Sequence, residues 1–295
     1  MTTRMHADEV PVDTALVAEL IADQFPRWAG LPLVPVPSSG TDNRMFRLGD
    51  DLVARLPRIG WGADTVAREQ RWLPRLAPHL PVAIPEPVAL GVPGHGYPWP
   101  WSVYRWLPGA NPTSSTAGPL VEAIAGFVTA LRALDTTDAP AANRGVPLAD
   151  RDTVTREAID ALAGRIDTAA VTAAWEHALR APVWAGPPVW AHGDLSPGNL
   201  LTTGGRLTAV IDFGGIGVGD PACDLLVAWN LLVGDDRAAL RAALDVDDAQ
   251  WARGRGWALS VALVALPYYR VTNPALAANS RHVVAQVVED HITSG

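Results

Sequence analysis

The chain has 295 residues, of which 48% are hydrophobic and 18% are charged, and its formal net charge at pH 7 is -8. This composition excludes a disordered chain, and the lack of a basic excess disfavours nucleic-acid binding. The longest apolar run, around residues 257–269, is too short to span a bilayer, so no membrane association is expected.

The charged residues are distributed unevenly. All 23 basic residues are arginine, and residues 1–106 hold 11 acids and 10 arginines, whereas residues 107–295 hold 20 acids and 13 arginines. The acidic second part would attract a cationic ligand, although acidity also serves solubility alone. The N-terminal residues lack an apolar signal core, so the cytoplasm is the expected compartment. The single cysteine, Cys223, is expected to be a small buried residue.

The first part of the chain has the pattern of a small sheet with helices. Helical periodicity covers residues 14–25, and "VPSSGTDNRMFRLGDDLVARLPR" then predicts two strands joined by a tight Gly-Asp-Asp turn. A helix is expected to begin with Asp64 as its N-cap and to end or kink near Pro74. The stretch "PVALGVPGHGYPWPWSVYRWLPG" predicts two further strands around a Gly/Pro turn.

The second part is predicted to be mainly helical. Residues 120–134 carry apolar side chains on one helical face, and further helical patterns cover residues 153–163 and 168–181. Two short strands, in "PVWAH" and "RLTAVIDF", interrupt the helices, and two or three helices complete the chain. The predicted fold class is therefore α+β, with a small sheet lobe over residues 1–106 and a larger helical lobe over residues 107–295.

Three polar side chains at fixed offsets lie between these two short strands. In "HGDLSPGNLL", His192, Asp194 and Asn199 fit the pattern H-x-D-x-x-x-x-N of kinase catalytic loops. A carboxylate at the second position orients an acceptor hydroxyl, and the amide five residues later offers its oxygen to Mg²⁺. We predict these roles for Asp194 and Asn199, and a loop-bracing role for His192.

A second motif, "TAVIDFGG", ends the second of these strands. Asp212 follows thirteen residues after Asn199, where a carboxylate suits a hard cation that bridges nucleotide phosphates. Alone, Asp212 would be read as a turn residue, but the two motifs together favour a metal–nucleotide site. No A-P-E element follows Asp212, which argues against a protein substrate.

These motifs carry a family resemblance. The segments "HGDLSPGNLL", "VIDFGGIGVGDPACDLL", "LVARLPR" and "YRWLPG" resemble the aminoglycoside phosphotransferase family over nearly the whole chain. The resemblance implies a protein-kinase-like two-lobe fold and transfer of the γ-phosphoryl group of ATP or GTP to a hydroxyl of a small molecule. It implies Asp194 as the catalytic carboxylate, with Asn199 and Asp212 as magnesium ligands. Asp220 and Asp224 match its Gly-Asp-Pro-x-x-Asp element, but Asp220 before Pro221 is equally a helix N-cap, and we expect structural roles for both.

The nucleotide phosphates are expected to meet an arginine rather than a lysine. "LVARLPR" places Arg55 where kinases have a strand lysine that contacts the nucleotide phosphates and pairs with a helix glutamate, and Glu69 lies on the next helix. The alternative to a phosphate-binding role is that Arg55 and Glu69 form a plain surface ion pair. The turn "SSGTDN" takes the place of the glycine-rich loop, so Ser39 and Asn43 are candidate phosphate contacts.

The purine is expected near the segment that connects the lobes. Tyr104 and Trp106 lie where that segment would offer backbone hydrogen bonds to the base, although core aromatic residues would have the same pattern.

The acceptor is expected to be a cationic or polyhydroxylated small molecule, with an aminoglycoside as the first choice. The acids in "DDRAALRAALDVDD" and "EDHITSG" could pair with ammonium groups, or they could form solvated helix faces. A homoserine, choline, macrolide or sugar kinase would share the same phosphate machinery. The alternative from another class is a catalytically idle nucleotide-binding module, which the absence of lysine would suit.

Overall fold

The sheet predicted in the first part of the chain is present. The computed structural model describes residues 5–37 and 40–294, and within them the strands β1 to β5 form a five-stranded antiparallel sheet in the order β1-β2-β3-β5-β4. The strands are β1 Leu33–Pro35, β2 Asn43–Leu48, β3 Leu52–Pro57, β4 Pro87–Gly91 and β5 Trp101–Arg105. The tight turn between β2 and β3 and the strand pair β4–β5 confirm the sequence-based predictions.

The rest of the described chain is mainly helical, which confirms the predicted α+β class. Two short antiparallel pairs, β6–β9 and β7–β8, interrupt the helices. The helices are α1 Thr14–Gln24, α2 Gly60–Leu76, α3 Val121–Arg132, α4 Asp152–Ala161, α5 Thr168–Arg180, α6 Val227–Asn230, α7 Gly234–Ala243, α8 Asp248–Tyr269 and α9 Pro274–Ser294, and the short strands are β6 Val189–Ala191, β7 Leu200–Thr203, β8 Arg206–Val210 and β9 Gly217–Gly219. No helix in the described ranges combines the length and apolarity that a bilayer crossing needs. The lobe boundary at residue 106 stays a prediction.

The start of α2 differs from the prediction. Asp64 is not its N-cap, because the helix begins at Gly60 with Ile59 as the capping residue and no side-chain cap. Gly62 and Ala63 are buried in the first turn, where a Cβ on Gly62 would lie 3.1 Å from the Asp42 carbonyl oxygen. The first turn therefore packs against the residue that precedes β2, and this packing starts the helix four residues before Asp64.

Apolar contacts join the sheet to the helical part. A smaller cluster of buried residues lies between α1 and the sheet, whereas the inner face of α2 belongs to the large core of the helical part. Trp72 of α2 meets Trp190 of β6 at a ring-centroid distance of 4.9 Å. Leu73 and Leu76 are also buried there, and α2 continues two residues beyond Pro74. The free energy gained by burying these side chains offsets the loss of the backbone hydrogen bond that a proline removes from a helix.

The helix α8 approaches its neighbours at a glycine. Gly254 packs against the 3₁₀ segment Pro221–Leu226, and a Cβ at this position would lie 2.7 Å from Leu225 Cβ and 3.1 Å from the Ala222 carbonyl oxygen. The segment contains Asp224 and the buried Cys223, whose burial was predicted. The close approach sets the position of α8 against the segment that supports the site.

We expect Gly254→Ala to lower the free energy of unfolding by about 1–3 kcal/mol through overpacking. Gly126 lies in α3 with no atom within 4 Å of an added Cβ, so Gly126→Ala is the matched control and should raise the free energy of unfolding by roughly 0.5–1 kcal/mol. Urea denaturation of the three proteins measures both changes. Equal shifts for the two variants would contradict the close approach at Gly254.

Candidate active site

Asp194 and Asn199 lie on the loop that connects β6 to β7. The loop bends at Gly193, whose φ of +77° is in the left-handed region that glycine adopts at little cost. The Asn199 amide nitrogen donates to the Asp194 carbonyl oxygen at 2.8 Å and to Asp194 Oδ2 at 3.0 Å. This pairing turns the amide oxygen of Asn199 away from Asp194. The Asp194 side chain is 41% exposed, so a ligand can reach its carboxylate.

His192 braces two parts of the site, as predicted. Its Nδ1 accepts from the Asp194 backbone N–H at 3.1 Å, so the ring proton is on Nε2, which donates to the Ile211 carbonyl oxygen at 3.1 Å. The ring also packs edge-on against Phe213, with centroids 4.6 Å apart. The fully buried imidazole therefore fixes the Asp194 loop relative to the segment that carries Asp212.

Asp220 and Asp224 support the site from below the loop. Asp224 Oδ1 accepts from the Gly193 N–H at 2.7 Å, and Oδ2 accepts from the His192 N–H at 3.1 Å. Burial raises the pKa of Asp224, and the two hydrogen bonds oppose that rise. Asp220 caps the following 3₁₀ segment through the Ala222 N–H and forms an ion pair with Arg253 at 2.6 Å. Both aspartates have structural contacts, as the sequence predicted.

Asp212 lies two residues after the end of β8, in a left-handed conformation with φ of +65°. Aspartate tolerates this region better than most residues, but at a cost in backbone strain. Its Oδ1 accepts from Arg55 Nη2 at 2.6 Å, and its side chain is 43% exposed. Partial burial raises the pKa of Asp212, Arg55 opposes that rise, and the negative charges of Glu69 and Asp194 add to it. The Asp212 carboxylate thus lies in a region that already holds other negative charges.

Arg55 of β3 and Glu69 of α2 form the ion pair that the sequence predicted. Glu69 also accepts from the Tyr104 hydroxyl at 2.5 Å. The side chains of Arg55 and Glu69 are only 13% and 1% exposed, which excludes the surface-pair alternative. Burial would lower the pKa of Arg55, but the charges of Glu69 and Asp212 raise it. The guanidinium of Arg55 therefore connects the sheet to α2 and to the segment that follows β8.

The other predicted nucleotide contacts have mixed surroundings. Asn43 lies beside the arginine; with its amide oxygen facing the guanidinium, it accepts from Arg55 Nη2 at 2.9 Å. Ser39 lies outside the described residues. The backbone N–H of Trp106 donates to the Asp51 carbonyl oxygen at 2.8 Å, and Arg47 covers the Trp106 ring at 4.3 Å. Contacts of Ser39, Asn43, Tyr104 and Trp106 with a nucleotide stay predictions.

Sequence reasoning missed Arg144. Its Nη1 donates to the Gly193 carbonyl oxygen at 2.7 Å and forms an ion pair with Asp194 Oδ1. Burial would raise the pKa of Asp194, but Arg144 and the Asn199 hydrogen bond hold it below its ordinary value. Arg144 precedes Asp194 by 50 residues in a loop, and no spacing pattern in the sequence connects the two.

The charges and donor atoms of the site suit a nucleotide with a divalent cation. Three carboxylates, Glu69, Asp194 and Asp212, face two guanidinium groups, Arg55 and Arg144, which leaves an unbalanced negative charge. Asn199 and Asp212 offer amide and carboxylate oxygens, which are the ligands that Mg²⁺ prefers. In the described parts of the chain, no three His, Cys, Asp or Glu side chains form a metal site. A cation would therefore complete its shell with phosphate oxygens and water.

We expect Asp224→Asn to lower the free energy of unfolding by about 1–3 kcal/mol, because the amide replaces one buried acceptor by a donor that faces a backbone N–H. Asp160 is exposed on α4, so Asp160→Asn should change the stability by less than about 0.5 kcal/mol. Urea denaturation measures both variants. An Asp224→Asn midpoint equal to that of the parent protein would show that the carboxylate does not hold the loop.

A family model and a curated relative match this chain. The model of the phosphotransferase enzyme family matches residues 34–257. An aminoglycoside 3'-phosphotransferase from Escherichia coli is 43% identical over 58 residues, a match that covers 20% of this chain and 21% of that protein. The chain thus matches about a fifth of the length of this curated relative.

Solved structures share the fold over almost the full length. The GDP and kanamycin complex of APH(2")-IIia has a TM-score of 0.76 at 21% identity, covering 93% of this chain and 98% of that one. The GDP complex of wild-type aminoglycoside 2'-phosphotransferase-IIIa has a TM-score of 0.75 at 22% identity, covering 95% and 100%. The macrolide 2'-phosphotransferase MphH from Brachybacterium faecium has a TM-score of 0.60 at 23% identity, covering 93% and 98%. At these identities the likeness shows the fold. With a family model that spans three quarters of its residues, the chain belongs to the phosphotransferase enzyme family.

Proposed function

We propose that this protein is a Mg²⁺-dependent small-molecule kinase that moves the γ-phosphoryl group of ATP or GTP to a hydroxyl of its acceptor. One observation carries the proposal: the fold brings Asp194, Asn199 and Asp212 together with the buried Arg55–Glu69 pair, and it leaves the side chains of Asp194 and Asp212 partly exposed. In kinases, a carboxylate, two oxygen ligands and a cation on the phosphates perform phosphoryl transfer by positioning and charge stabilisation. Membership of the phosphotransferase enzyme family supports the same activity.

Asp194 is the residue that orients the acceptor. Because Arg144 and Asn199 hold its pKa below the ordinary value, the carboxylate is ionised at neutral pH and accepts a hydrogen bond from the acceptor hydroxyl. The hydroxyl oxygen forms a bond to the γ-phosphorus as the bond from that phosphorus to the bridging oxygen breaks. The acceptor proton passes to Asp194 or to the departing phosphoryl oxygens, and the nucleoside diphosphate leaves.

Arg55, Asn199 and Asp212 act on the nucleotide side. The two oxygen ligands would hold Mg²⁺, which when bound neutralises charge on the phosphates. Arg55 has its guanidinium between Glu69 and Asp212, so it is placed to bind phosphate oxygens through its remaining donors. Its contacts with both carboxylates fix the position of the guanidinium.

The acceptor class is the less determined part of the function. Structural neighbours are described in complex with kanamycin, gentamicin and streptomycin, and others are macrolide 2'-phosphotransferases, which supports a polyhydroxylated, aminoglycoside-like acceptor. A homoserine, choline, macrolide or sugar kinase remains compatible with the same machinery. A catalytically idle nucleotide-binding module is the alternative from another class, and it predicts nucleotide binding without transfer.

We expect Asp194→Asn to reduce acceptor phosphorylation by about 10²–10⁴-fold, because the amide is a far weaker proton acceptor than the carboxylate. Release of ADP or GDP in the presence of an acceptor panel measures the loss, and Asp160→Asn is the surface control. Nucleotide binding should persist in both variants. Nucleotide binding without any transfer by the parent protein, for every acceptor tested, would favour the idle module.

Magnesium should act through Asp212 and Asn199. We expect Mg²⁺ to tighten ATP or GTP binding to the parent protein, and Asp212→Asn to lose most of this gain while Mg²⁺-free nucleotide binding changes little. Titration calorimetry with and without EDTA measures the two affinities, and Asp160→Asn should behave as the parent does. A full Mg²⁺ response in Asp212→Asn would remove Asp212 from the metal site.

A further inference from the structure

Residues 140–145, called here the Arg144 segment, lie along the chain that follows Asp212. The Val218 N–H of β9 donates to the Pro140 carbonyl oxygen at 2.8 Å, and the Ala142 N–H donates to the Val218 carbonyl oxygen at 3.0 Å. On its other side, β9 pairs with β6, the strand that leads into the catalytic loop. The Arg144 segment is therefore hydrogen-bonded to the strand that lies between it and β6.

Two glycines of β9 permit this close approach. A Cβ on Gly217 would lie 2.5 Å from the Ala142 nitrogen and 2.6 Å from the Ala141 carbonyl oxygen, and a Cβ on Gly219 would lie 2.7 Å from the Gly145 carbonyl oxygen. These distances are too short for a real Cβ atom. Glycine at both positions thus lets the backbone of the Arg144 segment pack directly on β9.

The segment carries Arg144 to the catalytic loop. Its Nη1 donates to the Gly193 carbonyl oxygen at 2.7 Å and also to Asp194 Oδ1, with which it forms an ion pair. Burial would lower the pKa of Arg144, but the charge of Asp194 raises it above its ordinary value, so the guanidinium stays charged. One nitrogen thus binds both the bend of the loop and the carboxylate that the loop presents.

The orientation of the Asp194 carboxylate depends on two contacts. The loop backbone is held by His192 and Asp224, but these residues do not bind the carboxylate. Within residues 5–37 and 40–294, the carboxylate receives hydrogen bonds only from Asn199, at Oδ2, and from Arg144, at Oδ1. The terminal torsion of an aspartate side chain has broad minima, so one remaining hydrogen bond would leave the carboxylate free to turn.

We propose that the Arg144 segment is a positioning element of the phosphoryl-transfer site, and that Arg144 acts by holding the Asp194 carboxylate in the orientation that receives the acceptor hydroxyl. This inference rests on the proposed kinase function and adds a positioning residue to it. Arg144 works through Asp194 and does not contact the substrate in this arrangement. A direct contact of Arg144 with the transferred phosphoryl group predicts, instead, a loss of rate that does not depend on Asp194.

A double-mutant cycle on the rate separates these two arrangements. ADP or GDP release by the full-length protein is measured with Mg²⁺ and an acceptor that shows Asp194-dependent transfer. Because a misplacement of about 1 Å costs roughly 100-fold in rate, we expect Arg144→Gln to lower kcat by about 10–100-fold. The KM for the nucleotide should change by less than about threefold, and Arg144→Gln should cost less than about threefold when added to Asp194→Ala.

Arg156→Gln is the control, since it removes a half-exposed guanidinium from α4, and it should leave kcat unchanged. A full loss caused by Arg144→Gln in the Asp194→Ala background would overturn the proposal and indicate a contact with the phosphoryl group. An unchanged kcat in Arg144→Gln, or a loss confined to KM, would also overturn it.

The same cycle on stability tests the coupling without any acceptor. We expect the decrease in urea midpoint of the Arg144→Gln/Asp194→Ala protein to be smaller than the sum of the decreases in the two single variants, because the ion pair is lost only once. Strictly additive decreases would overturn the proposal and leave the kinase function intact. The absence of any Asp194-dependent transfer would count against the function itself, and a coupled unfolding cycle would still support positioning of Asp194 by Arg144.

Discussion

A buried carboxylate holds the loop on which the candidate site depends. Gly193 turns the chain in the left-handed region, and the resulting bend directs two consecutive backbone N–H groups into the interior, where no strand can pair them. Asp224 accepts both. The segment that carries Asp224 is in turn fixed by its close packing against Gly254 of α8. The packing of the helical part therefore determines the position of Asp194, because each of these N–H groups would carry a free-energy penalty if it were buried without an acceptor.

His192 extends this support to the second half of the site. Its two ring nitrogens contact the Asp194 backbone and the Ile211 carbonyl, so a single imidazole fixes the loop that carries Asp194 relative to the segment that carries Asp212. Arg55 of the sheet forms ion pairs with both Glu69 and Asp212, which connects the sheet to this part of the site. The site is thus preorganised by side chains from three separate parts of the chain, which is what charge stabilisation in phosphoryl transfer requires.

Arginine takes every cationic role near the site. A guanidinium keeps its charge when buried and can hold two carboxylates at once, as Arg55 does, whereas a buried ammonium loses its proton more readily. The same property lets Arg144 lower the pKa of Asp194 from its position beside the loop.

Sequence patterns alone were sufficient to predict the fold class, most helices and strands, and the roles proposed for Asp194, Asn199 and Asp212, because periodicity and short motif spacing are local properties of the chain. It also anticipated the pairing of Arg55 with Glu69. It misplaced the start of α2 at Asp64, since burial of the first turn outweighed a capping preference worth about 1 kcal/mol. The ion pair between Arg144 and Asp194 became visible only in the folded chain, because charge pairing between distant loops depends on how the helices pack and leaves no spacing pattern in the sequence.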